Sequence, residues 1–253
     1  IGIGIGYDGA RMSVRSLFRA FSTTGIAVTQ IVMIGAMAGI VIGVLNITGL
    51  GFALTQALIA IAAGNLFLLL VMAAVVSIVL GMGMPTLGVY LLLATLVAPS
   101  LIEVGVPPMA AHMFALYFGM LSMITPPVAI AAFAAATVAN TNPMRTGYAA
   151  VLFGWSAYVI PFLFVVSPAL LFDGTAVSIL TATAAAVAGI WSVSVGLAGR
   201  MFANLGTAIR AVYIAAGIAL LIPAAVIDGA AFVNLAGGAV AATLTILGKR
   251  RKV

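Results

Sequence analysis

The sequence predicts an all-α integral membrane protein: a bundle of transmembrane helices carrying a re-entrant hairpin and a broken helix. Composition comes first, because 65% of the 253 residues are hydrophobic and only 6% are charged, with a mean hydropathy of +1.35, far from the average of soluble domains. Apolar runs of about 20 residues recur along the chain, the length that crosses a ~30 Å hydrocarbon core as helix. Runs such as 66–80 do not alternate polar with apolar residues, as barrel strands would. The third observation is a pair of interruptions, Gly81-Met82-Gly83-Met84-Pro85-Thr86-Leu87-Gly88 and Ile124-Thr125-Pro126-Pro127, inside long apolar stretches. Irregular backbone at membrane depth persists only where it is buried in protein or lines a wet cavity.

The chain opens with Ile1-Gly2-Ile3-Gly4-Ile5-Gly6, without an initiator Met or the pattern of a signal peptide. It reads as part of a longer membrane protein. Residues 4–9 match the spacing GxGxxG but lack the strand-turn-helix setting of a dinucleotide site, so a connector is the better reading. Arg11, Arg15 and Arg19 recur every four residues, which predicts a cytoplasmic interfacial connector helix over 1–22. A transport-type module follows over 23–174. Its first span covers 23–45 and holds Gly35, Gly39 and Gly43 on one face for close packing. Asn46-Ile47-Thr48-Gly49 breaks it, and 51–63 is too short to span and lies along the interface.

Residues 65–101 then form either two spans meeting at a cytoplasmic turn or a re-entrant hairpin of half-depth helices with its tip at 81–88. A cytoplasmic turn usually carries Lys or Arg and this one carries no charge, which favours the hairpin with a buried tip. The broken helix occupies 109–139, with Thr125 as N-cap and Pro126 as first residue of its second half. A span over 147–171 closes the module. Residues 175–253 supply further spans near 177–198, 211–227 and 230–247 and end in Lys249-Arg250-Arg251-Lys252. This path puts Arg11, Arg15, Arg19, Arg145, Arg200, Arg210 and the basic tail on one side, and Glu103, Asp173 and Asp228 on the other. By the positive-inside rule the basic side, with both chain ends, is cytoplasmic. The net charge of +6 is therefore a topology signal rather than a nucleic-acid footprint.

Each interruption ends one helix and begins another, exposing carbonyls on one side and N–H groups on the other. Carbonyls near Gly81, Met82, Gly83 and Met84, and from Ser122 to Ile124, can coordinate a hard cation such as Na⁺, with the hydroxyls of Thr86 and Thr125 as further oxygen ligands. N–H groups after Pro85, at Thr86 and Leu87, and after Thr125-Pro126-Pro127, from Val128 onward, attract a carboxylate. The plainer reading of one such break is a kink relieved by packing. Two breaks in adjacent segments point to a site.

Four stretches carry a family resemblance: Gly81 to Thr86, Val106-Pro107-Pro108-Met109-Ala110-Ala111-His112, Ile124-Thr125-Pro126-Pro127-Val128-Ala129, and Asn142-Pro143-Met144-Arg145-Thr146-Gly147. Together they resemble the C-terminal half of the large membrane subunit of TRAP (tripartite ATP-independent periplasmic) transporters, most closely the fused TAXI-type permeases. The resemblance covers about 7–174. It implies one half of an inverted-repeat, Na⁺-driven importer of organic acids or amino acids in a bacterial or archaeal cytoplasmic (inner) membrane. It further implies an elevator-like motion, a periplasmic substrate-binding protein as partner, and the N-terminal half and small-subunit-like helices of the same transporter as neighbours. Many relatives outside the TAXI type carry an Asp between the Met and Pro of the first motif. Here Met84 is followed directly by Pro85, so no role passes to that carboxylate.

Other residue types offer less. His112, the only histidine, falls at a loop-to-helix junction, where an interfacial role outweighs proton coupling. The methionines at 82, 84, 109, 113, 120 and 123 suit packing better than soft-metal transport, because the chain has no Cys and no second His. An intramembrane enzyme needs a nucleophile, base or metal cluster at depth, and no span carries a carboxylate. The expectation is a non-enzyme with Na⁺ as coupling ion, no further cofactor or metal, and membrane lipid as its medium. A different inverted-repeat ion or anion symporter and a structural, channel-like subunit are the alternatives.

Overall fold

A computed structural model describes residues 13–201, 204–223 and 230–250; Arg11, Asp228 and the last three residues lie outside them. Every regular element there is helical, apart from one isolated bridge between Arg200 and Asn204. Helix α1 (Val14–Thr48) is 35 residues long, about 52 Å at 1.5 Å per residue. Ser13 starts it by accepting the Ser16 N–H at 3.2 Å, and Gly49 ends it at φ 69°. The expected boundary between a connector ending at 22 and a span beginning at 23 is absent. No Pro or second break interrupts the sequence there, so the basic turn and the span are one helix. Asn46 and Thr48 also stay helical, Thr48 by returning its hydroxyl to the Val44 carbonyl at 2.8 Å.

Helix α2 (Leu50–Ala62) is short, and Ala63 (φ 49°) and Gly64 (φ 82°) turn the chain into α3 (Leu66–Gly81), capped by Asn65. After the first interruption come α4 (Thr86–Leu96) and α5 (Ala98–Glu103). Pro99 sits in the first turn of α5, where a missing N–H costs little. Gly64, Asn65 and Leu66 share a cavity wall with Val104, so the chain returns to where the hairpin began. Gln56 Nε2 ties that base to α2 by donating to Glu103 Oε1 at 3.1 Å. The arms are longer than half-depth helices: 16 residues for α3 and 18 from Thr86 to Glu103, about 24 and 27 Å. The run of α3 holds no residue that would stop a helix earlier, and in the second arm the chain breaks only at Val97, before Pro99.

Helix α6 (Pro108–Leu121) is the centre of the bundle, packed on α3, α4, α5 and α9 (Trp155–Val166). Its Phe114, Ala115 and Phe118 are buried with Leu69 and Ala73 of α3 and Val89 and Leu93 of α4. Phe162 of α9 meets Phe114 and Phe118 edge-on at 5.4 and 5.6 Å, a favoured aromatic geometry. Helices α7 (Ile130–Val138) and α8 (Pro143–Phe153) form a side pair. The span expected over 147–171 is bent: α8 and α9 meet at Gly154 at 43°, and a 3-10 turn (Pro168–Leu171) follows α9.

Helices α10 (Ala176–Ala198), α11 (Thr207–Leu221) and α12 (Ala230–Arg250) make a separate three-helix stack. Helix α11 begins and ends earlier than the expected span over 211–227, with Gly206 preceding it and Ile222 turning extended. Glycines let α10 and α11 approach closely. A Cβ at Gly217 would stand 2.7 Å from the Gly189 carbonyl oxygen, and one at Gly196 2.8 Å from that of Arg210. Arg210 donates from Nε to Gly196 O at 2.9 Å and from its terminal nitrogen to Leu197 O at 3.0 Å, capping α10 with charge where carbonyls are left unpaired. Trp155 Nε1, donating to Ser194 Oγ at 3.2 Å, links the stack to α9.

Candidate functional site

The two interruptions meet, and glycine is the reason. A Cβ at Gly81 would lie 2.7 Å from the Gly119 carbonyl oxygen and 2.9 Å from Ser122 Oγ, and one at Gly119 would collide with Val89 and Leu93. The approach extends along both helices: Ala73, Ser77 and Gly81 on α3 and Ala111, Ala115 and Gly119 on α6 repeat at four-residue spacing, and all six are buried. Ends of α3 and α6 therefore stand side by side, each at the point where its hydrogen-bond ladder stops.

At the first break, Met82 N–H reaches back to Val79 O at 3.3 Å and Met84 N–H to Gly81 O at 3.4 Å. Among the described residues no N–H or hydroxyl donates to the carbonyls of Leu80, Met82, Gly83 or Met84. Gly83 makes the turn here at φ 82°. Pro85 precedes α4 without a side-chain cap, and its carbonyl accepts only from Val89 at 3.1 Å, so the N–H groups of Thr86, Leu87 and Gly88 have no partner among these residues. Gly83, Pro85, Thr86 and Leu87 are exposed, contrary to the expectation of a buried tip, because these helices cover only its Gly81 side.

The second break departs further from expectation. It runs over 122–129, and α7 begins at Ile130 after Ala129 at φ 31°, so Thr125 is not the N-cap and Pro126 not the first helical residue. Instead Thr125 Oγ1 donates back to Leu121 O at 2.6 Å and lies 2.7 Å from the phenolic oxygen of Tyr158 on α9. Pro126 and Pro127, joined by a cis peptide, fill the space beside α8, where a Cβ at Gly147 would stand 2.9 Å from the Pro126 ring. The carbonyls of Ser122 and Ile124 receive no donor among the described residues, whereas that of Met123 accepts the Ala131 N–H at 3.0 Å. Of the N–H groups expected to be free from Val128 onward, Ala129 bonds Thr125 O at 3.2 Å and Ala131 is the one just described; Val128 and Ile130 keep theirs. Ser122 Oγ is buried and donates to Gly119 O at 2.6 Å.

The Gly81–Gly119 approach thus sets two helix ends with unpaired carbonyls beside one another, and unpaired carbonyls at a helix end carry partial negative charge. Among the described residues no hydrogen bond joins Thr86 or Leu87 to Pro126 or Val128. Tyr158 is the residue that sequence reasoning missed. Its one signal was a phenol inside an apolar helix, since a buried phenol normally finds a partner. His112 Nδ1 lies 3.3 Å from the Tyr90 hydroxyl, linking α6 to α4 on their way to the breaks. Among the described residues no three His, Cys, Asp or Glu side chains gather to hold a metal.

Among the described residues three helices, or four counting the bent α8–α9 pair as one, are long and apolar enough to cross a membrane. Comparison with known families matches residues 1–176 to "DctM: Tripartite ATP-independent periplasmic transporter, DctM component". No curated protein and no solved structure matches the chain. The family match takes in both interruptions and every helix through α9, which is well over half of the sequence. This all-helical membrane protein therefore belongs to the DctM family, the membrane component of tripartite ATP-independent periplasmic transporters.

Proposed function

We propose that the chain is the permease module of a Na⁺-coupled secondary transporter that imports organic acids or amino acids delivered by a periplasmic binding protein. The observation that carries this reading is the close approach of Gly81 to Gly119 and Ser122, which sets the ends of two interrupted helices, each with unpaired carbonyls, side by side. Broken helices whose carbonyls hold an ion and whose N–H groups hold a carboxylate are a recurrent transporter design. The N–H groups of Thr86, Leu87 and Gly88 supply the anion side on α4, and the ion then sits between helix ends without any intramembrane carboxylate.

Depth supports the re-entrant form of the hairpin. Gly88, just past the tip, approaches Ile34 of α1, and Ile34 lies fifteen residues, roughly 22 Å of helix, beyond Arg19. A tip held at that height stays far from the basic end of α1, which we place in the cytoplasm of an inner-membrane protein. The TAXI-type likeness belongs to the same proposal, as do placement in the C-terminal half of the large subunit and contact with an N-terminal half and small-subunit-like helices. Uptake of radiolabelled dicarboxylates and amino acids into proteoliposomes holding the complete transporter, with its binding protein outside, tests the reading. Uptake that follows an inward Na⁺ gradient and stops when K⁺ replaces Na⁺ is the expected result. Uptake indifferent to Na⁺ overturns the coupling.

A further inference from the structure

A cavity of about 170 Å³ lies where the end of α9 and the 3-10 turn after it meet α10, α11 and α12, away from both interruptions. We infer that it binds a neutral molecule of about the size of benzene that carries one hydroxyl, and that Ser167 and Asn234 recognise that hydroxyl. The inference does not rest on the transport reading.

Size and wall decide the body of the guest. A dry cavity of about 150 Å³ takes up benzene, so this one has room for a six-membered ring and a small substituent. Four alanines and four leucines form most of the wall, and the alanines keep the space open. No lining residue is charged, so an ionised guest would shed its water and meet no counter-charge. Water alone fits poorly. About five molecules at about 30 Å³ each would fill the space, each needing two to four polar partners, and the wall offers four polar side chains in all.

Those four residues decide the other end of the guest. Ser167 is 9% exposed, and among the described residues its hydroxyl has no hydrogen-bond partner. Asn234 of α12 is half-buried, and its Oδ1 is buried without a donor. Such a lone acceptor is costly, and the amide torsion is broad enough to turn it toward the cavity. Ser178 gives its proton to the Thr175 carbonyl and Thr181 to that of Val177, both at 2.8 Å, so toward the cavity these two only accept. The wall is therefore short of protons. A guest hydroxyl supplies one and, at the same atom, accepts from Ser167 or from the Asn234 amide nitrogen. A purely apolar guest would leave both residues unpaired.

The test uses a thiol as reporter, because the chain has no cysteine of its own. Ala182→Cys, in the cavity wall, is treated in detergent with methyl methanethiosulfonate, a small neutral reagent, and the adduct is read by mass. Phenol should slow the reaction about two- to tenfold more than benzene at matched concentration in the micelle, the worth of one net hydrogen bond. That comparison needs no further variant to fold. Val177→Cys, at an exposed position of the same helix, should react alike with either molecule present. Ser167→Ala and Asn234→Leu, each added to Ala182→Cys, should reduce the effect of phenol to that of benzene while leaving the unprotected reaction unchanged. Equal protection by phenol and benzene would mean an apolar void, and a phenol preference that survives both variants would clear Ser167 and Asn234. Protection by benzoate at neutral pH would make the cavity a carboxylate site. No protection by any of them, or a thiol that never reacts, would mean a cavity that is closed or holds water only; each of these results overturns the proposal.

Discussion

Thr125 Oγ1 and the phenolic oxygen of Tyr158 lie 2.7 Å apart, and the same threonine oxygen is 2.6 Å from the Leu121 carbonyl. A carbonyl can only accept, so the threonine proton goes to Leu121 and Tyr158 donates to the threonine. The phenol thus pins the second break to α9. Thr125→Val should leave the Tyr158 hydroxyl without its acceptor in a half-buried place, while the Leu121 carbonyl keeps the Ile124 and Thr125 N–H groups at 3.1 and 3.0 Å, and should destabilise the protein by about 1–3 kcal/mol. Tyr158→Phe removes only the outer donor and should cost about 0.5–1.5 kcal/mol. Thermal unfolding in detergent of both single variants and the double variant checks this, and additive losses would show that the two hydroxyls are not coupled.

Thr86 is the counterpart at the first break, and the contrast separates ion binding from folding. It is exposed, and its hydroxyl takes part in none of the hydrogen bonds among the described residues. Thr86→Val should leave unfolding within about 0.5 kcal/mol of the parent, as surface substitutions do. If its oxygen helps hold Na⁺, the Na⁺ activation curve of uptake shifts to higher concentration by several-fold. An unchanged curve would remove Thr86 from the ion site.

Gly81→Ala should be among the most damaging small substitutions, because the new methyl would face the Gly119 carbonyl, which is backbone and cannot rotate away. Overpacking of this kind costs about 1–3 kcal/mol and should part α3 from α6 at the breaks. Gly39→Ala is the control: nothing lies within 4 Å of its added carbon. Measured in the same unfolding assay, Gly81→Ala should fall well below the parent and Gly39→Ala should match or exceed it.

The helical membrane fold and both interruptions were legible because they are local: apolar run length, Gly and Pro leave a mark in the one-dimensional pattern. The return of the chain after 101, common to the hairpin and the two-span readings, left its mark in the same pattern, and Asn65 and Val104 line one cavity. Tertiary pairing was not. Thr125 before two prolines has the chemistry of an N-cap, yet the phenol of Tyr158, thirty-three residues away, offers its hydroxyl another use. The Gly81–Gly119 approach was hidden for a related reason, since small residues four apart say that a helix packs closely but not against which partner. Gly35, Gly39 and Gly43 show the converse, with the same spacing and no neighbour within 4 Å of a notional Cβ.

Arg210 gives a prediction beyond the family match. Its side chain donates to Gly196 O and Leu197 O, so the start of α11 is clamped to the end of α10. Arg210→Lys keeps the charge and loses the two-point geometry, while Arg210→Gln loses the charge as well. The expected order of stability is parent, Lys, Gln, with the Gln variant lower by about 1–2 kcal/mol, the range for a partly buried cation at a helix C-terminus. Tryptophan fluorescence reports it, because Trp191 stacks edge-on against Tyr213 of α11 at 6.3 Å. Equal unfolding midpoints for all three proteins would show that the clamp carries no stability.

The depth of the hairpin tip yields the sharpest topological test. The chain has no cysteine, so single cysteines report without background. Leu87 is 41% exposed on the tip, and Arg145 lies in the first turn of α8, which our proposed topology puts on the cytoplasmic side. If 65–101 is two spans joined by a cytoplasmic turn, Leu87→Cys faces water and reacts with a charged, impermeant thiol reagent as readily as Arg145→Cys. If the hairpin is re-entrant, the tip stands beside Ile34, roughly 22 Å of helix from Arg19, and what covers Leu87 is lipid or a neighbouring helix. Charged reagents do not enter that layer. Labelling of inside-out vesicles should therefore modify Arg145→Cys within minutes and leave Leu87→Cys largely untouched. Denaturing detergent should then make both react equally, proving that the thiol was intact. Equal reaction of the two cysteines before detergent would replace the hairpin with two full spans, and would move the carbonyls of Met82, Gly83 and Met84 from membrane depth to the cytoplasmic surface.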